Sequence, residues 1–250
     1  KGCRWGYVAK FGVYNQSVDP GGGKDRRILV CNEYFLMTRL LSSDKGPVTI
    51  RPAIPADAAA LRELRLEALD RFPAMFSADF GTTAAQSVEF WADRLVQNEQ
   101  TAQGITCIAL AGNDMVGMCG LHRGGSPKTR HSGTIWGVYV RENWRGLRLA
   151  ETMITECTDW GYSQGIVIAK LAVITTNTAA IRCYIRSGFT VYGIDPKAIC
   201  FNDVYYDALL MSNSMYSCPA TTLQSPAHRQ QSDLFARIHP AQGAPSSGVR

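Results

Sequence analysis

The sequence predicts a mixed α/β fold, a central mixed β-sheet flanked by helices, and three observations carry that expectation. Apolar residues recur at helical spacing in several separate segments, and extended apolar runs lie between them. Two of those runs meet at Gly112-Asn113-Asp114, turn chemistry that supplies the positive φ angles of a tight hairpin. The resulting order is β, α, α, β, β, β, α, β, α, β, β, which reads as a sheet with helices packed against it.

Residues 1–47 mix Gly, aromatic and polar residues without a sustained period, and are expected to be an N-terminal extension of undefined role. Within them Asp19-Pro20-Gly21-Gly22-Gly23-Lys24-Asp25 reads as a turn or linker, and residues 28–41 suit either a short helix or a strand. Regular patterning begins at residues 48–52, a short strand whose Pro52 suits an edge or terminus. Leu61, Leu64, Ala68 and Leu69 then share one stripe of a helix, with Asp57 in its opening turn complementing the dipole. Beyond a stretch broken by Phe, Pro and Gly, Val88, Trp91 and Leu95 repeat the spacing behind Ser87, a helix cap.

Residues 106–111 and 115–121 are the two hairpin strands, and residues 134–140 form a third long strand. Ala150, Met153, Ile154 and Cys157 mark the next helix face. Residues 166–173 are a continuous apolar run suited to a strand buried on both faces, followed by a helix over residues 178–187 that stops at Gly188. Residues 190–194 and 204–210 close the sheet. From residue 212 to the end, Ser, Pro, Gln, Ala and Gly dominate, and a disordered tail is expected because few large apolar side chains remain to offset ordering entropy.

The 250 residues are 46% hydrophobic, an ordinary globular value with enough apolar mass for a core. A formal charge of +5 favours anionic small ligands but falls short of a nucleic-acid binder, so neither nucleic acid nor membrane is an expected partner. No stretch approaches the roughly 20 apolar residues of a membrane span, and the first residues lack a signal peptide's apolar centre, so the cytoplasm is the expected location. Eight cysteines are dispersed without zinc-site spacing; Cys107, Cys119, Cys157 and Cys183 sit in apolar patterns as small hydrophobes, and no metal site is expected.

The strongest local signal for chemistry is the strand-to-helix junction at Arg145. A helix start presents unpaired N–H groups and the positive end of a dipole, which suits a pyrophosphate, and Gly146 lets backbone approach an oxyanion closely. A plain capping turn is the alternative. Asn177 can cap a helix or hold a ligand arm, and Tyr184 shares a helix face with Ala180, Cys183 and Ser187, as an inward core aromatic would.

Val138-Tyr139-Val140 followed by Arg145-Gly146-Leu147-Arg148-Leu149-Ala150 resembles the coenzyme A motif of the GCN5-related N-acetyltransferase (GNAT) family. Leu171-Ala172-Val173, Asn177-Thr178-Ala179-Ala180 and Tyr184-Ile185-Arg186-Ser187-Gly188-Phe189 are similar to that family's second block. The likeness spans residues 48–211, the expected acetyltransferase domain, and includes Phe90-Trp91, Val116-Gly117-Met118 and Trp136-Gly137-Val138. It implies a GNAT-like sheet with a splayed parallel strand pair and acetyl-CoA as acyl donor. Amides from Leu147 to Ala150 would hold its pyrophosphate, and the backbone of Val138, Tyr139 and Val140 would pair with its pantetheine arm. Arg148 departs from the pattern, standing where the family has Gly; it would either crowd the phosphates or pair with them.

The implied reaction moves an acetyl group to a primary amine of a small molecule or peptide by direct attack on the thioester. Tyr184 would be the catalytic acid for the departing thiolate, and a backbone N–H of the strand at 138–140 would meet the oxyanion. That strand carries no acid between residues 134 and 140, leaving water, His131 or Glu67 as the base. The acceptor pocket is expected along residues 71–80 and 198–206, with Phe72, Phe76, Phe80, Phe201, Tyr205 and Tyr206. A homodimer is compatible with the sequence, and a catalytically silent acyl-CoA sensor is the rival reading.

Overall fold

A computed structural model describes residues 38–214. The turn at residues 19–25, the start of the segment 28–41 and the tail beyond residue 214 lie outside the described residues. Among those described, eight strands form one sheet: β1 (Arg39–Ser43), β2 (Gly46–Pro52), β3 (Gly104–Ala111), β4 (Asp114–Arg123), β5 (Ser132–Val140), β6 (Ile168–Ile174), β7 (Thr190–Phe201) and β8 (Val204–Ser214). Their spatial order is β1-β2-β3-β4-β5-β6-β8-β7. Five helices, α1 (Ala58–Arg71), α2 (Phe80–Ala84), α3 (Val88–Thr101), α4 (Leu149–Ser163) and α5 (Thr178–Arg186), connect and cover it. None of the described helices is long and apolar enough to cross a membrane.

Local chemistry accounts for the helix starts. The Ser87 hydroxyl accepts from Phe90 N at 3.2 Å, as its position before the apolar stripe predicts. Asp79 Oδ1 accepts from Thr82 N at 2.7 Å and starts α2, a short helix inside the stretch read as broken. Asp57 stands one residue ahead of α1, in a 3-10 turn, where its carboxylate takes both terminal nitrogens of Arg51 at 2.7 and 2.9 Å and fixes the end of β2 to α1.

The sheet buries a core on each side. Leu61, Leu64 and Ala68 of α1 and Trp91 and Leu95 of α3 meet Ile108, Met115, Met118 and Tyr139 on one side. Leu149, Met153, Ile154, Cys157 and Trp160 of α4 meet Val48, Ile105, Cys107, Cys119 and Leu121 on the other, with Tyr184, Phe189 and Met211 continuing that core. Cys107, Cys119 and Cys157 are buried free thiols, packed as small hydrophobes.

Three elements differ from expectation. Residues 39–43 are a strand, an edge that pairs with β2 through Leu41↔Val48 and extends the sheet beyond residue 48. β6 starts two residues late and alternates, with Lys170 and Ala172 exposed, because α1 and α3 cover β3 and β4 and stop short of it. β7 runs on to Phe201 through an irregular register opposite Asp207, then turns at Asn202 and Asp203, both at positive φ as a two-residue hairpin turn requires.

One bulge positions the site. Trp136 pairs with Gly120 and Tyr139 with Met118, so Gly137 and Val138 together stand opposite Cys119 alone. Gly137 takes φ 64°, a conformation open to Gly at little cost. The parallel pairing of β5 with β6 is confined to Ser132, Gly133 and Thr134 against Ile168, Ala169 and Lys170. Past it the bulge turns β5 away, and the splayed parallel pair results.

Candidate active site

Beyond the bulge, the backbone of β5 alternates between β4 and the gap. Arg141 N donates to Val116 O at 2.9 Å, so Tyr139 also faces β4, and the peptide groups of Val138 and Val140 face the gap left by β6. Arg145 Nε caps one of them, donating to Val140 O at 3.1 Å, and its guanidinium lies 5.2 Å over the Phe72 ring. The Val140 N–H remains turned to the gap.

A cavity of about 720 Å³ opens there. Val138, Tyr139 and Val140 form its floor; Arg145, Gly146, Arg148, Leu149 and Ala150 line the end at α4; Asn177, Ala180, Cys183 and Tyr184 of the α5 segment form a wall; Phe72, Met75 and Phe76 close the α1 side. Of the residues singled out in the sequence, Leu147 does not line it and packs instead against the α4-side core. Phe80, Phe201, Tyr205 and Tyr206 also lie outside its walls, although β7 does approach the turn Pro73–Met75.

The α4 end is built to receive an anion. Thr152 N donates to Arg148 O at 3.0 Å, so the amides of Leu149, Ala150 and Glu151 precede the first intrahelical bond and have no partner within the helix. Gly146 takes φ 84°, and a Cβ there would meet nothing within 4 Å, because the position opens onto the cavity. Arg148 caps α4 at φ 58°, the left-handed conformation that a glycine adopts freely, with its side chain 74% exposed and its Nε 3.9 Å from Glu151. Arg186 holds Glu151 at 2.6–2.7 Å, which offsets the one carboxylate on this wall. Open amides, a glycine-sized approach and a strand edge whose gap-facing peptide groups are free apart from the Val140 carbonyl together suit an elongated ligand that ends in phosphates.

Asn177 does cap α5, its Oδ1 accepting from Ala180 N at 3.2 Å, and it lines the cavity at the same time. Tyr184 is 8% exposed, packed edge-on against Phe189 with ring centroids 6.2 Å apart, and borders the cavity. Burial pushes its phenol above the ordinary value of 10.0, and the Cys119 and Cys183 thiols push the same way, so the hydroxyl keeps its proton at neutral pH. The two side chains named as bases are placed elsewhere. His131 is exposed, and Glu67 is held by Tyr139 and Arg141; neither lines the cavity. Among the described residues no group of three His, Cys, Asp or Glu side chains is arranged to hold a metal ion.

The sequence profile of the acetyltransferase (GNAT) family matches residues 64–189, half of the chain, and contains the bulge, the α4 turn and Tyr184. No curated protein matches the sequence. Solved structures do share the fold. A GNAT acetyltransferase from Streptococcus pneumoniae is 23% identical, with TM-score 0.61 over 67% of this chain and 99% of that one. The yncA protein of Salmonella typhimurium, solved with its cofactor acetyl-CoA, is 19% identical, with TM-score 0.60 over 70% of this chain and 98% of that one. A ribosomal-protein-alanine N-acetyltransferase from Brucella melitensis is 20% identical, with TM-score 0.58 over 66% and 99%. By the extent of the profile match the chain belongs to the acetyltransferase (GNAT) family and is an acetyl-CoA-dependent acyltransferase.

Proposed function

We propose that the acyl group is delivered to a primary amine of a small molecule or peptide, by direct attack on the thioester, with Tyr184 as catalytic acid. The observation that carries this reading is the convergence of three features on one cavity: the gap-facing peptide groups of β5, the open amides of α4 and the buried phenol of Tyr184. The donor supplies an activated acetyl group. Leu149, Ala150 and Glu151 bind its phosphates through their amides, with Arg145 and Gly146 shaping the turn, Arg148 beside them and Leu147 anchoring it to the core. Val138 and Val140 bind the arm, and the Val140 N–H offers a hydrogen bond to negative charge developing on the carbonyl oxygen. Tyr184 donates its proton to the departing sulfur. With no free carboxylate on the wall, water carries the amine's proton away. The acetyltransferase domain is proposed to be residues 48–211, with β1 (Arg39–Ser43) added at the edge of its sheet.

The test is a panel of amines incubated with acetyl-CoA under thiol detection. Amine-dependent thiol release with a matching acetylated product is expected. Binding of acetyl-CoA without release on any amine would instead support a silent acyl-CoA sensor, the reading that Arg148 in the phosphate turn raises.

A further inference from the structure

The cavity wall on the α1 side has a chemistry of its own. Phe72 ends α1, its N–H donating to Ala68 O at 3.1 Å, and Pro73, which has no N–H to continue the helix, opens the 3-10 turn Pro73–Met75. Met75 N donates back to Phe72 O at 3.0 Å, and so tight a turn brings Phe72 and Met75 to the same side. With Phe76 they line the cavity, each half-buried. The wall is braced from behind. The Phe72 ring tilts against Tyr139 of the floor with centroids 6.2 Å apart, and Arg65 of α1, 7% exposed and not itself part of the wall, lies 4.9 Å from the Phe76 ring.

This wall adjoins the β5 gap. Arg145 donates to Val140 O at 3.1 Å and lies 5.2 Å from the Phe72 ring, so a single guanidinium spans the distance from the Val140 peptide to the aromatic wall. Charge is spread unevenly around the cavity. Its charged side chains are Arg145, Arg148, Glu151 and Arg186, and the one carboxylate, Glu151, stands in the first turn of α4 and is paired with Arg186 at 2.6 Å. Phe72, Met75 and Phe76 offer no counter-ion, and a charged group set against them would lose its water without a partner. An apolar group gains by leaving water there.

We propose that Phe72, Met75 and Phe76 form the specificity surface of the acceptor pocket, and that the acceptor is a primary amine borne on an aromatic or other bulky apolar group with no second charge. The inference rests on the amine-acceptor reading above and narrows it. Phe72 and Phe76 can meet a ring face to edge, and Met75, unbranched and polarisable, fills the space around it. With the apolar body held on the α1 wall, the amine is left at the β5 gap. There its nitrogen bonds to the thioester carbonyl carbon and the C–S bond breaks; sulfur leaves with the Tyr184 proton, and the nitrogen's surplus proton passes to water, from which Tyr184 is reprotonated. The three wall residues select and position the acceptor and move no proton.

The experiment follows thiol release by the whole chain at saturating acetyl-CoA. Phenylethylamine is paired with ethylamine, and L-phenylalaninamide with glycinamide; putrescine and L-glutamate serve as acceptors with a second charge. Because these amines differ in basicity, kcat/KM is referred to the neutral amine. It should be higher by about tenfold or more for the phenyl member of each pair, the worth of burying a ring, and higher than for either charged acceptor. In Phe76→Ala and Met75→Ala the phenyl-to-truncated ratio should fall severalfold, with melting temperature and acetyl-CoA affinity recorded for each. Equal use of phenyl and truncated acceptors by the parent, a charged acceptor used best, or an undiminished ratio in a folded Phe76→Ala protein overturns the inference alone. Should Phe76→Ala fail to fold, the Met75→Ala ratio decides, and an unchanged ratio there overturns it. Absence of turnover on every amine, with acetyl-CoA still bound, overturns the amine-acceptor reading itself.

Discussion

The Tyr139 hydroxyl donates to Glu67 Oε1 at 2.9 Å while Arg141 Nε holds Oε2 at 2.8 Å, so Glu67 ties α1 to β5 just past its bulge. Both oxygens are engaged, and the side chain is absent from the cavity wall. A base would need a free lone pair facing the acceptor. Glu67→Gln should therefore cost about 1 kcal/mol of stability, a modest figure because Arg141 is partly exposed and the ion pair is screened. Turnover per folded molecule should fall less than about tenfold. A fall of about 10²-fold or more, with folding intact, would restore Glu67 as a general base.

Much of the architecture was legible in the sequence because period-2 and period-3.6 patterns report burial directly, as Leu61, Leu64 and Ala68 do for α1. Arg65 was not legible. It occupies a stripe position beside Leu64, but a charged residue there reads as a face boundary until Phe76 and Trp136, distant in sequence, close over it. β1 was ambiguous for a similar reason: Arg39–Ser43 is an edge strand whose burial is partial and whose pairing with β2 is not encoded locally. At the cavity, Gly146 and Tyr184 were visible as residue types at motif spacing. The occupation of Glu67 was invisible, since Tyr139 is 72 residues away.

The N-terminal edge is fastened by Arg39 of β1, which forms an ion pair with Glu156 of α4, a carboxylate only 4% exposed. Burial raises the Glu156 pKa, and Arg39 opposes that rise. Because the folded pKa lies above the unfolded one, the native state holds more protons just above pH 4.5, and stability falls as pH rises through that window. Arg39→Met should lift the folded pKa further and deepen the loss. A deficit of about 2–3 kcal/mol at pH 8, shrinking toward pH 5, is expected in chemical denaturation. A pH-independent deficit would mean that the ion pair contributes nothing and only the packing of β1 matters.

Arg148→Gly should move stability and affinity in opposite directions. The left-handed φ of 58° costs a side-chain-bearing residue about 1 kcal/mol that glycine avoids, so the variant should melt a few degrees higher. Its side chain, 74% exposed at the mouth of an anion-receiving turn, is placed to add charge to the donor's phosphates. Calorimetry should show acetyl-CoA affinity lower by about 1.5–3 kcal/mol. Tighter binding in the glycine variant would show that Arg148 obstructs the turn.

Tyr184→Phe tests the acid. The ring is packed on Phe189 and belongs to the α4-side core, so phenylalanine preserves the packing and removes only the hydroxyl. Because burial holds the phenol protonated well past pH 10, the parent should show no loss of kcat from this group anywhere between pH 6 and about pH 10. Removing a positioned acid should lower the single-turnover rate by on the order of 10²-fold, with acetyl-CoA affinity nearly unchanged. A purely structural tyrosine predicts the reverse pattern: a shifted melting temperature and weaker binding, with the rate per folded molecule kept. The cysteines offer an internal control, since Cys183→Ser alters the same wall without removing a proposed proton donor. A Tyr184→Phe protein that folds, binds acetyl-CoA and turns over at the parental rate would assign the thiolate's proton to solvent and leave Tyr184 as a core aromatic.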